Sequence, residues 1–379
     1  MRTTTGHLGA NSGEPIAEAQ LLIACLRGSP LDLPGDTDWR ALVTLAEVHG
    51  VLPLIHSALV ENGAKIPEFF LHAVRDSQAF TEILAAELER LLASFAQHRI
   101  EVIPLKGPVL AETLYGDATA RPCTDLDLLV RTSDFIRAEQ LLMDAGWIAS
   151  APADEYHRSF VRDSILMELH FGVASPRAFP FDLNGTWSGA RNGAFRGQPL
   201  KLMSETDRAL YLLLHGLKHG YGKLIWILDS ARALETVREC SPREFVERAR
   251  AQGLQQVLCI SCAMVFEVLP KSLPEGLAAV LAESPEAMQA ARATVEKLLA
   301  GEAGNGRGPE IWGFYLQAET GAGERWRRRL TFFIPTNEDY RWTASHRIPR
   351  SFAPLLRPFR LLAKHGLRQA WRTAFPPSL

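Results

Sequence analysis

No charge of one sign dominates this chain. Its 379 residues carry 41 Lys and Arg against 43 Asp and Glu, a formal balance of −2. That near-neutrality excludes a uniformly basic nucleic-acid binder. Cysteine is scarce: five residues, scattered and odd in number, do not make a disulfide scaffold. Cys259 and Cys262 form a CxxC, but it lies inside the apolar run QQVLCISCAMVFEVL with no second pair, so the thiols read as buried core rather than as a metal or redox site. No uncharged apolar stretch reaches the roughly 20 residues needed to span a bilayer. The opening MRTTTGHLGANSGEP lacks the apolar centre of a signal peptide, so the expected compartment is the cytoplasm. GxGxxG and GxxxxGK[ST] are both missing, which removes the common dinucleotide and P-loop fingerprints. There is no internal repeat. What is abundant is apolar residue, 47% of the chain, and that excludes disorder as the main state.

Periodicity divides the chain into four regions. Residues 1–95 read as helical: Ile16–Arg27, a segment through Trp39, Leu42 and Leu45 capped by Asp36 or Asp38, another through Leu54–Leu59, and a long pattern from Phe69 to Phe95. Residues 96–200 change character. IEVIPL (100–105) is a strand ending in Lys106-Gly107, Val109–Tyr115 a helix stopped by Gly116, and Leu126–Val130 a strand entered through two aspartates. Ser133-Asp134 caps a helix over Phe135–Ala145, Trp147 and Ile148 begin another strand, and Phe160–Arg162 pairs with Ile165–Phe171 around an Asp163-Ser164 turn. Residues 201–300 return to helical periodicity, with Ser204 and Asp207 as a capping pair. Residues 301–379 comprise a Gly-rich linker and a basic helical region. From Glu324 onward there are twelve Lys and Arg against three Asp and Glu. Segment 354–372 is expected to form an amphipathic helix with Leu355, Leu356, Phe359, Leu362 and Ala363 as its stripe, docked on the protein's own acidic body in preference to a membrane surface. The fold class expected is α+β: a small mixed sheet with helical regions on either side.

The segment LKGPVLAETLYGDATARPCTDLDLLV, residues 105–130, concentrates the chemistry. In a strand, residues i and i+2 share a face, so Asp125 and Asp127 converge while Leu126 and Leu128 enter the core. Converging carboxylates suit a hard divalent cation, and a third would complete a two-metal clamp for phosphoryl or nucleotidyl transfer. Glu168, in ILMELHF, is the candidate third member, with His170 on its face and Met167 and Leu169 on the other. The competing reading of Glu168 is an edge-strand carboxylate facing water. Lys106-Gly107 follows a strand and precedes a helix, where glycine allows close backbone approach and the helix start favours an anion. Lys106, Gly107 and Arg121 are therefore candidate triphosphate contacts, against a purely surface role. A second cluster, HGLKHGYGKLIWILDS, reads as helix, glycine break, helix. His215 and His219 are four apart on one face, with Lys218 beside them. Interhelical packing competes with binding of a base or an acceptor, and zinc lacks a third ligand. Trp226, flanked by Ile225, Ile227 and Leu228, reads as core in preference to a base-stacking surface.

Glycine turn, helix, DxD strand and a later acidic strand together resemble the nucleotidyltransferase superfamily that includes DNA polymerase beta and the CCA-adding enzymes. Lys106-Gly107 matches the glycine turn, Asp125 and Asp127 the metal pair and Glu168 the third position. The chain departs from the common Gly-Gly or Gly-Ser motif in having Lys-Gly followed by proline. More closely it resembles a bacterial family of uncharacterised nucleotidyltransferases, through WRALVTLAEVHGVLPLIHSAL, the KG…YG…R…DLDLLV core, ELH, HGLKHGYGKLIWILDSARAL and RPFRLLAKHG. The resemblance implies an enzyme that uses magnesium, with manganese as the alternative, to move a nucleoside monophosphate from an NTP such as ATP to an acceptor hydroxyl, releasing pyrophosphate. The acceptor, a small molecule, peptide or protein, is not identified; nucleic acid is not favoured. Two other functions remain open: a catalytically lost scaffold or antitoxin-like protein on the same fold, and a DxD nucleotide-sugar transferase.

Overall fold

The computed structural model describes residues 16–300, apart from 32, 151, 152, 154, 177, 178 and 180, and residues 337–360, apart from 347 and 358. The Gly-rich linker expected at 301–310, the helix expected near 312–319, the mixed basic stretch at 326–333 and the part of the expected amphipathic helix beyond 360 lie outside the described residues.

Four helices open the fold: α1 (Ala17–Leu26), α2 (Trp39–Val48), α3 (Leu52–Glu61) and α4 (Glu68–Gln97). Asp38 caps α2 by accepting from the Arg40 and Ala41 amides. A central sheet follows. Its strands are β1 (Val102–Pro104), β2 (Asp125–Val130), β3 (Ile148–Ala149), β4 (His157–Arg162) and β5 (Ile165–His170), in the order β1-β2-β5-β4-β3. Only β2 and β5 run parallel. Helix α5 (Pro108–Tyr115) links β1 to β2, and α6 (Phe135–Asp144) lies between β2 and β3. The β4–β5 hairpin turns at Asp163-Ser164, both with positive φ, the geometry a two-residue hairpin loop needs. No side chain caps α6; a 3-10 turn over Thr132–Asp134 leads into it.

After the sheet come α7 (Leu183–Gly189), a hairpin of β6 (Arg191–Phe195) and β7 (Gln198–Leu202), then α8 (Glu205–Lys218), α9 (Leu224–Thr236), α10 (Pro242–Ala251), α11 (Gln255–Val268), α12 (Ala279–Ala282) and α13 (Pro285–Leu299). Ser204 caps α8, accepting from the Asp207 amide at 3.0 Å. The Asp207 carboxylate, however, accepts from the Ser204 hydroxyl at 2.9 Å and from Arg248 at 2.6 Å and not from the Ser204 amide, so only half of a capping box forms. The complete box is at Ser241 and Glu244 of α10.

Two apolar cores result. The larger joins α1–α3 to α8, α9, α11 and α13, so the opening helices and the 201–300 helices are one packed body; the Ile16 amide even bonds the Leu299 carbonyl at 2.8 Å. The smaller lies between the sheet, α6 and the second half of α4. Helix α4 belongs to both: Phe70 and Val74 enter the first core, and Leu84 to Phe95 the second. Alternation in β2 sends Leu126, Leu128 and Val130 into the smaller core. Asp125, Asp127 and Leu129 therefore face the helical body, and Leu129 packs in its core.

In the C-terminal region α14 (Asn337–Ser345) precedes a segment helical at 353–357 and 359–360. Arg357 and Arg360 both pair with Asp339. Leu355 and Phe359 are exposed, so the expected apolar stripe is uncovered there. Among the described residues no helix is long and apolar enough to cross a membrane.

Candidate functional site

The parallel pairing of β2 with β5 sets Asp127 directly beside Glu168, and His170 lies two residues on along β5. Ligand atoms of Asp127, Glu168 and His170 all fall within 4.8 Å of one another. His170 Nε2 is 3.0 Å from Asp127 Oδ1 and 3.3 Å from Glu168 Oε2, while its Nδ1 faces the Gly172 carbonyl at 3.2 Å. With oxygen acceptors near both nitrogens, the pKa of the imidazole is raised: burial opposes this, and its hydrogen bonds to Asp127 and Glu168 outweigh it.

Lys106 is the second partner of Asp127. It stands where β1 ends, and its Nζ lies 2.9 Å from Asp127 Oδ2. Burial disfavours the ammonium, but the carboxylates of Asp127 and Asp125 keep it charged. Asp127 is itself 3% exposed. Burial would raise its carboxyl, but Lys106 and His170 hold it well below the usual carboxylate range. Asp125, half-buried at the strand start, has the opposite environment: burial and the neighbouring Asp127 charge lift it to about 6 against the pull of Lys106. Two carboxylates in one DxD are thus driven apart by their surroundings.

Gly107 sits between Lys106 and α5 at φ 75° and ψ −150°, a region that glycine alone occupies without strain. That turn starts α5 directly after Lys106. Pro108 opens the helix without losing a donor.

Arg121 takes a different place from the one its sequence suggests. It is 5% exposed, and its guanidinium clasps Asp229 of α9 with Nε and Nη2 contacts of 2.7–3.0 Å. The Tyr115 hydroxyl donates to the same carboxylate at 2.8 Å. The arginine is committed to pinning the loop before β2 against α9, and it reaches the acid cluster through its field: it is one of the charges that lower Asp125. Asp229 had a sequence signal of its own, a carboxylate directly after the apolar run LIWIL, where burial demands a partner.

Helix α8 forms the wall opposite the sheet. Tyr211, His215, Lys218 and His219 all lie within the electrostatic reach of Lys106 or the acid cluster, so the structure brings the two sequence clusters together. Burial and then Lys106 hold His215 well below the ordinary histidine value. Burial, with Lys218 beside it, takes His219 down to about 3; both rings are neutral. Lys218 drops to about 8, chiefly through burial, with its Nζ 5.0 Å from the centre of the Tyr156 ring. Trp226 is half-buried and packs against the larger core, as its neighbours suggest; its indole also stacks on His219 at 4.9 Å, meets His215 edge-on at 5.9 Å and has the Lys223 ammonium 5.7 Å from its centre.

Two neighbours have no periodic signal in the sequence. His157 lies opposite His170 in the β4–β5 ladder, stacks on it at 5.2 Å, and stands 3.6 Å from Glu168. Tyr156 extends that stack, 4.6 Å from His157.

The donor set can hold a divalent cation. Asp127 Oδ2 is buried and receives no well-aligned hydrogen bond, only the ammonium of Lys106 beside it. Two carboxylates with an imidazole in reach suit manganese as well as magnesium, because nitrogen is a poorer ligand for the harder ion.

The family described as uncharacterised nucleotidyltransferase matches residues 35–270, more than half of the chain. No curated protein matches. A partial structural likeness exists to the solution structure of the antibiotic-resistance factor ANT(2'')-Ia, with 14% identity and a TM-score of 0.35. It covers 45% of this chain and 90% of that one.

Proposed function

Because the chain belongs to the uncharacterised nucleotidyltransferase family, we propose that it moves a nucleoside monophosphate from an NTP to an acceptor hydroxyl and releases pyrophosphate. This is the chemistry of the superfamily that includes DNA polymerase beta and the CCA-adding enzymes. The observation that supports the reading is the meeting of Asp127, Glu168 and His170, with Asp125 alongside, beneath the glycine turn at the start of α5.

Asp125, Asp127 and Glu168 would hold magnesium or manganese. A divalent cation there neutralises triphosphate charge and lowers the pKa of the acceptor hydroxyl. The remaining steps belong to the chain. Lys106 leaves Asp127 and follows the phosphates, an exchange of one anionic partner for another within the reach of a single side chain. The Gly107 turn and the α5 start receive phosphate oxygens on backbone N–H groups. Lys218, a half-buried ammonium, supplies charge from the α8 wall, and Arg121 adds positive potential from behind Asp125. His170 holds Asp127 and Glu168 in register through its two contacts. In-line attack of the acceptor oxygen on the α-phosphorus would break the bond to pyrophosphate and release the hydroxyl proton to solvent, with the acceptor on the Glu168 side and the pyrophosphate on Lys106.

One observation favours a second reading, a non-catalytic scaffold. Asp127 already has two partners, the Lys106 ammonium and the His170 imidazole, and a structural polar network needs no metal. Manganese titration followed by electron paramagnetic resonance separates the two. The enzyme reading expects binding that Asp127→Asn weakens at least tenfold, together with magnesium-dependent pyrophosphate release from an NTP in the presence of candidate acceptors, checked by mass analysis for a nucleotide adduct. Wild-type manganese affinity in Asp127→Asn sinks the enzyme reading.

A further inference from the structure

Behind the site every polar group is matched: Arg121, Asp229 and Tyr115 satisfy one another. On the facing wall the pattern reverses. Among the described residues no protein atom hydrogen-bonds to the ring nitrogens of His215 or His219, the indole N–H of Trp226 or the Lys218 ammonium, and none of these atoms is a fully buried orphan. Four polar side chains on adjoining turns of α8 and α9 therefore keep donors and acceptors unspent, His215 at 6% exposure and the other three half-buried.

Three of the four are flat rings in mutual contact. His215 and His219, one helical turn apart, lie 4.6 Å from centre to centre, and Trp226 stacks on His219 at an interplanar angle of 29°. Their placement is built in. The α8–α9 corner turns at Gly220 and Tyr221, both with positive φ. Tyr221 is fully buried and anchored to Ser261 at 2.6 Å and to the Leu213 carbonyl at 3.3 Å. The Trp226 ring thus reaches back over the last turn of α8. Burial keeps both imidazoles neutral, so the shelf offers ring faces and unspent ring nitrogens with ammonium groups around it: Lys223 lies 5.7 Å from the centre of the Trp226 ring, and Lys218 and Lys106 act on the imidazoles.

We infer that the His215–His219–Trp226 shelf receives the nucleobase of the nucleoside triphosphate. A base is a neutral aromatic plate with donors and acceptors on its edge, and it carries its phosphates at one end. The shelf matches each of these features: ring faces for stacking, ring nitrogens for the edge, and ammonium groups toward the carboxylates. The Tyr156–His157 stack lies on the Glu168 side and is left to the acceptor. This inference rests on the proposed nucleotidyl transfer.

The test compares ligands with and without a base. Binding of ATP, GTP and inorganic tripolyphosphate, each with magnesium, is measured by calorimetry on the wild-type protein, Trp226→Ala and His219→Ala. Stacking on an aromatic side chain predicts that Trp226→Ala weakens ATP or GTP by about 5- to 150-fold. Tripolyphosphate affinity stays within twofold, and His219→Ala shows a smaller loss in the same direction. Should Trp226→Ala prove unstable by thermal melting, Trp226→Phe takes its place and is expected to keep part of the preference for the nucleotide. Equal affinity of the wild type for tripolyphosphate and both nucleotides, or equal losses for all three ligands in a folded variant, overturns the shelf and leaves nucleotidyl transfer standing. No binding of any of the three by the wild type overturns both.

Discussion

Arg121 and Asp229 provide the sharpest quantitative test of the structure, because phosphate contact and structural clasp predict opposite results. Asp229 is 1% exposed and is held by three guanidinium contacts and one phenol. Arg121→Met keeps most of the stem and removes the charge, leaving a buried carboxylate with only the Tyr115 hydroxyl. Stranding one member of a buried pair costs about 3–5 kcal/mol, and the surviving hydroxyl places this variant toward the lower end. Asp229→Leu strands the guanidinium in the same way. Replacing both partners by apolar side chains removes the stranded charge, so Arg121→Met with Asp229→Leu should lose less than about 2 kcal/mol, a coupling of several kcal/mol. Urea unfolding followed by circular dichroism reads all four proteins. A loss below about 1 kcal/mol for Arg121→Met, or single losses that simply add in the double variant, refutes the clasp.

Other expectations are as direct. A Cβ on Gly216 would lie 2.3 Å from Tyr221 Cε1, so Gly216→Ala should lower stability by about 1–3 kcal/mol or more through overpacking, despite the ~1 kcal/mol gained in helix propensity; an unchanged melting temperature would contradict this. His49 is buried, and burial, aided by Lys223, lowers its pKa to about 4. Its neutral form is the one that fits, so its contribution is complete above the unfolded value of 6.5 and is lost as pH falls toward 4, on the order of 3 kcal/mol. His49→Gln should flatten the stability profile between pH 6.5 and 4 relative to wild type, and parallel profiles would show that His49 is not the group. Gly107→Ala forces a side chain onto positive φ and should cost about 1–3 kcal/mol, read by urea unfolding; the nearest contact to the added Cβ, 3.8 Å from Leu126, is too loose to be the cause.

Local pattern carried much of the fold and part of the site. The strand, glycine, helix, DxD order of residues 100–130 is set by turn chemistry and alternation within a few residues, and each of those elements is present. Alternation also put Glu168 and His170 on one face of β5. Pairings across long sequence separations were not legible. Arg121 reads as a free cation before an acidic motif until α9 brings Asp229 against it, 108 positions away. His157 gains meaning only when β4 pairs with β5. The β6–β7 hairpin escaped notice because RNGAFRGQPLKL is poor in β-branched residues and alternates weakly. Trp226 packs against the core as its neighbours suggest, but only half-buried, and its stacking on His219 across the α8–α9 corner was not legible.

Helix α4 runs for 30 residues without Gly or Pro, about 45 Å at 1.5 Å per residue. Mechanically it is a strut clamped at both ends, one end by the helical body and the other by the sheet. If the smaller core melted by itself, half of the strut would be left as an unsupported apolar rod; if the larger core melted, the sheet would hang from a free end. Either half-unfolded species exposes the apolar stripe that the missing partner covered. The strut therefore ties the fate of the carboxylate-bearing sheet to that of the α8 wall facing it, and the two should be lost together in one transition and not one after the other.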